Sequence, residues 1–396
     1  MTQSKSERPN DQPEPVKPAA PALRSRRICI FTPTFLPTIG GTEIVTDALA
    51  RRLHAAGIQV TVLAQGTPAP LEVPYKVRWY PKPRGVRWWP ERTAQALAVL
   101  HAETPFSLFC VNYANPTGYG AVLLGRKLGV PVVLVSHGGD LFRNAKDRRR
   151  PRIWKRTCRA YQQADALVTI SASVEKLIRE IAPEPPPLCR IPNGIDLALY
   201  REPAPRPADV ELKRPFCLCL GTLNKQKGFE DAVSALALAR EALEDLMLVI
   251  VGEGPLEGAL RDQVSRLNLD DRILFAGRRV GAEKRWFLQH CRFGIMPSIE
   301  EGHPVVGLEF LAAGKPLVCT THGAFDDMCY EGRNSLRVEP RAPDQLARAI
   351  RNLHRSDPEA MGRESRRIAE AYDWDLITQK YIDWFEQVLH TYRRFV

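Results

Sequence analysis

Short apolar runs alternate along the chain with stretches of helical periodicity, and glycine- or proline-rich loops separate them. Ile28 to Phe31 reads as a buried strand. A Gly-Gly loop follows at 40 and 41. From Thr42 to Ala56 the residues Ile44, Val45, Ala48, Leu49 and Leu53 share one helical face, and Gly57 fits the position past its end. Ile58 to Ala64 is again a strand. The alternation recurs with strands near Leu108 to Val111, Val130 to Ser136 and Ala166 to Ile170. Strand-helix-strand order of this kind predicts a parallel sheet wound on both faces.

Nine prolines fall between positions 183 and 215, a density that no helix or central strand tolerates, so the segment reads as an interdomain connection. Beyond it the rhythm resumes, with buried strands at Phe216 to Leu220, Leu246 to Val251, Ile273 to Ala276, Phe293 to Met296 and Pro316 to Cys319. The chain thus predicts two doubly wound α/β domains in series, over 26–190 and 213–375, joined by a linker at 191–212. Residues 1–25 carry little that is apolar and predict a disordered tail. Residues 376–396 predict a closing helix, because Ile377, Tyr381, Trp384, Phe385 and Leu389 recur at helical spacing; its destination is not legible in the pattern. Two such domains create a cleft, and in open parallel sheets ligands bind beyond the carboxyl ends of the strands.

Composition changes this picture in two places. The 396 residues carry 56 Lys+Arg and 45 Asp+Glu, a net +11, and the excess is lopsided: residues 1–200 hold 28 basic and 15 acidic side chains, residues 201–396 hold 28 and 30. The first half is therefore the one expected to meet an anionic surface. No apolar stretch reaches membrane-spanning length, and Arg24-Ser25-Arg26-Arg27 precedes too short an apolar run for an export signal. Nine cysteines without a C-x-x-C pair predict reduced, mostly buried thiols in a cytoplasmic protein and no zinc site.

The most informative segment runs from Met296 to Pro316: a strand end, a loop containing Glu301, Gly302 and His303, a helix opening at Pro304, and a stop at Gly314. The amides of Val305 and Val306 would sit at a positive helix terminus, a cradle for phosphate. Glu309, four residues after Val305, shares its face one turn deeper, within reach of a ribose. On spacing alone, Glu301 equally fits a capping box with Ser298, and Glu309 a plain surface position.

The pattern P-S-x-x-E-G-x-P-x-x-x-x-E-x-x-A-x-G-K-P resembles the signature of the family 4 retaining glycosyltransferases, and the resemblance runs over most of residues 27–390. It implies the GT-B fold, two facing Rossmann-like domains. It implies a sugar contact for Glu301 and a ribose contact for Glu309, with transfer from a nucleoside diphosphate sugar, a UDP-sugar or GDP-mannose, to an acceptor hydroxyl in polysaccharide or glycolipid synthesis. The donor would lie on the second domain and the acceptor on the first.

Other segments agree with the resemblance. Gly40-Gly41 is similar to the family's first glycine loop, where missing side chains let backbone N-H groups approach a phosphate. His137, at the end of the run 132–136, resembles the histidine that points into the cleft, and Asp140 follows it as an acceptor-side candidate. Ile191 to Asp196 resembles a hinge marker. In Gly221 to Gly228 the family's diphosphate-gripping lysine is matched by Lys227, but its arginine is replaced by Thr222; Lys225 is the available substitute point charge. Arg279 and Val280 lie in the loop that resembles the receiver of the nucleotide base.

Some patterns point elsewhere. Val251 to Gly258 contains G-x-G-x-x-x-G, but Glu253 and Glu257 would repel a pyrophosphate. Asp373-Trp374-Asp375 has a D-x-D form but precedes the closing helix and reads as a cap, so no metal or other cofactor is expected. Arg78 to Pro90, with Trp88 and Trp89, and the cluster Arg148 to Arg156 read as a solvated face or as a contact with an anionic membrane or a lipid-linked acceptor; no nucleic-acid motif accompanies them. A nucleotide-sugar epimerase or hydrolase of the same form, or a non-catalytic nucleotide-sugar binder, are the rival functions.

Overall fold

The structure is a computed structural model and describes residues 21–82, 89–142, 145, 148–212 and 214–392. Residues 1–20 of the expected tail and Trp88 lie outside these residues, as does the side chain of Trp89, the first residue of a helix ending at Glu103. The last part of the expected tail is not disordered: Pro21–Arg24 form a helical turn, and Leu23 is buried in the core of the first sheet because its apolar side chain finds cover there.

Two parallel sheets form the framework. The first contains β1 (Arg27–Thr32), β2 (Gln59–Gln65), β3 (Lys76–Tyr80), β4 (Leu108–Asn112), β5 (Val132–Ser136), β6 (Ala166–Thr169) and β7 (Leu188–Arg190) in the order 3-2-1-4-5-6-7. The second contains β8 (Phe216–Leu220), β9 (Met247–Val251), β10 (Ile273–Gly277), β11 (Gly294–Met296), β12 (Leu317–Thr320) and β13 (Ser335–Val338) in the order 10-9-8-11-12-13. Alternate residues of a strand enter different cores, as the pleat requires. In β1, Ile28 and Ile30 face one apolar layer and Cys29 and Phe31 the other; in β8, Phe216, Leu218 and Leu220 face one layer and Cys217 and Cys219 its opposite. Both faces of each sheet are covered by helices, which is why the central strands read as uninterrupted apolar runs.

Strand order reverses between β1 and β4 and again between β8 and β11. The loops leaving these four strands are where an open parallel sheet leaves a ligand-sized crevice. They carry Gly40, Tyr113, Lys227 and Glu301.

Two expectations need correction. The proline-rich stretch is not wholly irregular: it contains β7 and a short helix, Leu197–Arg201. β7 pairs on one side only, with β6, so Pro187 and Pro192 stand outside a three-residue edge strand, where a missing N-H is tolerated. The key helix spans Val305–Ala312, with Pro304 as its capping residue rather than its first helical one.

The closing helix, Trp374–Tyr392, returns to the first sheet. Trp374, Ile377, Tyr381 and Phe385 share a core with Val45, Leu49 and Leu53 of the helix Gly41–Ala55. Trp374 also closes over the hinge, where a Cβ added to Gly194 would lie 2.4 Å from the indole, inside any real contact distance. Only glycine lets the connection pass beneath that ring.

Candidate functional site

Four loops interlock around the second switch point. After β8, Gly221 takes φ +145°, and the Asn224 side chain accepts from the amides of Gln226 at 3.0 Å and Lys227 at 3.3 Å, winding the turn Lys225–Lys227. Gly228, at φ +64°, packs so close that a Cβ would strike the carbonyl of Pro297. The Ile299 amide donates to the Gln226 carbonyl at 2.7 Å. Local turn chemistry thus clips the Lys227 loop to the Glu301 loop.

Glu301 is held by two donors on one oxygen: Lys227 Nζ at 2.6 Å and Ser298 Oγ at 2.9 Å. The Ser298 contact has the reach of a capping box, yet no helix begins there; it orients the carboxylate instead. Glu301's side chain keeps 11% of its surface exposed. Pro304 offers no side-chain cap to Val305–Ala312, leaving the first-turn amides of Val305 and Val306 without a capping partner. Glu309 is buried, with Oε1 accepting from Lys284 Nζ at 2.6 Å and Oε2 without a hydrogen-bond partner. Glu309 and Val305 line one cavity of about 280 Å³, bounded by Ile44 and Ala48 of the first half, by Tyr200 and Trp374, and by Lys284 of the helix Gly281–His290. Burial, then the Glu309 carboxylate, push the Tyr200 phenol well above its ordinary pKa.

His137 stands opposite, at the end of β5. Its Nε2 lies 3.0 Å from Asn112 Oδ1, while Asn112 Nδ2 donates to Thr46 Oγ1 at 2.9 Å. That chain assigns the proton of the neutral imidazole to Nε2. Burial lowers its pKa to about 4, so the ring is neutral near pH 7. Tyr113 packs against it at 5.4 Å between ring centres. Gly302 meets the His137 backbone, where a Cβ would collide with the carbonyl, and its own carbonyl accepts from Ser171 Oγ at 2.7 Å. Asn193 Nδ2 to the His303 carbonyl at 2.8 Å and the Ala172 amide to Asp327 Oδ2 at 2.9 Å complete a set of bonds across the cleft.

The remaining sequence candidates divide. Gly40 caps the helix Gly41–Ala55, and Gly41 has nothing within 4 Å of an added Cβ, so its backbone is open. Val280 is 51% exposed beside the loop after β10. Lys225 is exposed and lines a second cavity shared with Asn115 and Asp140. Three side chains are engaged otherwise than expected. The His303 ring is 4% exposed, turned against Tyr372 at 5.4 Å between ring centres, with no hydrogen bond to either nitrogen. Apolar packing took precedence over a ligand contact there. The Arg279 guanidinium binds Asp209 at 2.9 Å, Glu283 at 3.4 Å and the Ala276 carbonyl at 2.7 Å, which fixes the loop after β10 rather than leaving a free cation. Asp140 takes the Ala114 amide at 2.9 Å and the Tyr161 hydroxyl at 3.2 Å. Sequence reasoning missed Lys284 and Tyr200, which lie in no motif. Among the described residues no cluster has the make-up of a metal site.

Two facing Rossmann-like parallel-sheet domains make the GT-B architecture. The chain belongs to the group 1, family 4 glycosyltransferases: a model described as Glycosyltransferase Family 4 matches residues 39–199, and one described as Glycosyl transferases group 1 matches residues 214–356. A glycogen synthase of Mycobacterium tuberculosis is 31% identical over 54% of this chain and 52% of its own length, so the chain spans about half of that relative. The fold is shared with sucrose-phosphate synthase from Thermosynechococcus elongatus, at 20% identity and TM-score 0.80, covering 92% of this chain and 100% of that one. It is shared too with Anabaena Alr3699/HepE in complex with UDP-glucose, at 17% identity and TM-score 0.73, over 91% and 100%.

Proposed function

We propose that the protein transfers a sugar from a nucleoside diphosphate sugar to an acceptor hydroxyl with retention of anomeric configuration. The observation that carries this reading is the pair of glutamates eight positions apart, each held by a lysine at 2.6 Å, on either side of an uncapped helix terminus. The diphosphate rests on the amides of Val305 and Val306 and on Lys227, the ribose meets Glu309, and the sugar lies between Glu301 and His137. Gly40-Gly41 approaches the phosphates from the first domain, and Val280 borders the base.

Among the described residues no side chain stands as an obvious nucleophile, so as the bond between the sugar's anomeric carbon and the phosphate oxygen breaks, the departing phosphate oxygen takes the acceptor proton and the new bond forms on the same face of the sugar. The protein supplies position and charge: helix amides and Lys227 stabilise the charge that grows on the leaving diphosphate. Closure across the Ser171–Gly302 and Asn193–His303 contacts keeps out water, which would otherwise hydrolyse the donor. A UDP-sugar is the first donor to test, since a UDP-glucose complex is known for one neighbour of this fold; GDP-mannose is the second. The exposed cations of the helix Pro151–Gln163, Arg152, Lys155 and Arg159, suit a first domain that works at an anionic membrane face, as polysaccharide or glycolipid synthesis requires. Incubation with UDP- and GDP-sugars, with and without glycan acceptors, tests the reading: acceptor-dependent release of nucleoside diphosphate supports it, and release that is indifferent to acceptor points to a hydrolase or epimerase.

A further inference from the structure

A second interdomain cavity, of about 790 Å³, is separate from the one that holds Glu309. Its walls come from loops of both sheets: Thr34 after β1, Tyr113 and Asn115 after β4, Lys82 after β3, and Asn224, Lys225 and Gln226 after β8. Tyr113 packs on His137, and Gln226 adjoins the lysine that holds Glu301, so the cavity opens beside both groups placed around the sugar. It is where an acceptor must enter.

The chemistry of its walls narrows the acceptor. Lys82 and Lys225 are exposed and belong to opposite domains, and neither has an ion-pair partner among the described residues. The one carboxylate of the wall, Asp140, is taken up by the Ala114 amide and the Tyr161 hydroxyl. Asn115 lines the same cavity, and its buried Oδ1 has no hydrogen-bond partner among the described residues. Two lysines lining one cavity from opposite domains attract an anion as point charges, and phosphate is an anion that lysine binds in this way.

We propose that the acceptor carries a phosphoryl group, seated between Lys82 and Lys225 with its hydroxyls on the Asn115 side. This rests on the sugar-transfer reading and moves Lys225 from the donor to the acceptor. Because the two lysines stand on different domains, a bound phosphoryl group draws the domains together, and acceptor binding favours the closed cleft.

Calorimetry in saturating UDP, with glucose and glucose 6-phosphate as probes, tests the soluble form of the acceptor; flotation with phosphatidylcholine vesicles, with and without phosphatidic acid, tests the lipid-borne form. The wild type should prefer the phosphorylated probe in at least one arm by roughly tenfold. Lys82→Ala and Lys225→Ala should each remove most of that preference, and Lys82→Arg should restore it, with UDP affinity unchanged in every variant. Equal binding of phosphorylated and unphosphorylated probes in both arms overturns the proposal. So does Lys225→Ala losing UDP binding while keeping the phosphate preference. Failure of any nucleoside diphosphate to bind the wild type counts instead against the transfer reading, and the phosphate preference is then read by repeating both arms without nucleotide.

Discussion

Lys284 Nζ lies 2.6 Å from Glu309 Oε1, and the pair is buried enough that the glutamate side chain is 7% exposed. The lysine occupies one carboxylate oxygen, and Oε2 is buried without a hydrogen-bond partner beside the Tyr200 phenol. On the proposed reading, Lys284 is a positioning residue for the ribose contact of Glu309.

Lys284→Ala should weaken nucleoside diphosphate binding by about 2 kcal/mol, the scale of a charge-assisted hydrogen bond whose partner is left buried. The diagnostic is selectivity: wild type should prefer UDP over its 2′- and 3′-deoxy analogues, and Lys284→Ala should bind all three alike. A variant that loses affinity but keeps this discrimination assigns Lys284 a merely structural part.

Thr222 stands, exposed, where the family places an arginine. Thr222→Arg should supply a bidentate guanidinium to the diphosphate and tighten its binding by about 1–2 kcal/mol, roughly tenfold, in low-salt calorimetry. An unchanged affinity means that the diphosphate does not pass this loop.

Two histidines whose pKa burial lowers strongly, His137 and His303, give the fold a pH dependence, and His303 is the one turned away from the cleft against Tyr372. Burial lowers its pKa to about 3 from the ordinary 6.5, so the unfolded chain binds more protons than the folded one between these values. Native stability is then intact above pH 6.5 and falls as pH drops toward 3. His303→Phe, which keeps a ring against Tyr372, should remove about 2 kcal/mol of the loss otherwise seen at pH 5. Denaturant melts at pH 7 and pH 5 measure it; parallel losses in both proteins refute the assignment.

Much of this architecture is legible in the sequence because buried parallel strands are continuous apolar runs, as at Val132–Ser136 and Phe216–Leu220. Two edge strands are not: Lys76–Tyr80 alternates exposed and covered residues, and Ser335–Val338 is half polar, whereas the edge strand Ile273–Gly277 is legible because it is apolar throughout. The spacing of Glu301 and Glu309 is readable because both lie on one continuous loop-and-helix segment, the first just before the helix Val305–Ala312 and the second within it. Lys284 is not readable, since its partner lies 25 positions away on another helix. Arg279 and His303 show the converse: a motif fixes where the backbone goes, while neighbours absent from the motif, Asp209 and Tyr372, decide where the side chain points.

The central claim is that Glu301 serves the transferred sugar and not the nucleotide, and comparing wild type with Glu301→Gln in transfer and in nucleoside diphosphate binding tests it most directly. The glutamine keeps shape and releases Lys227 from its 2.6 Å ion pair. Transfer should fall by about 100-fold or more, the scale of losing one group that stabilises the transition state, while diphosphate affinity stays level or rises. Wild-type transfer, or a loss of nucleotide binding equal to the loss of rate, would contradict the account.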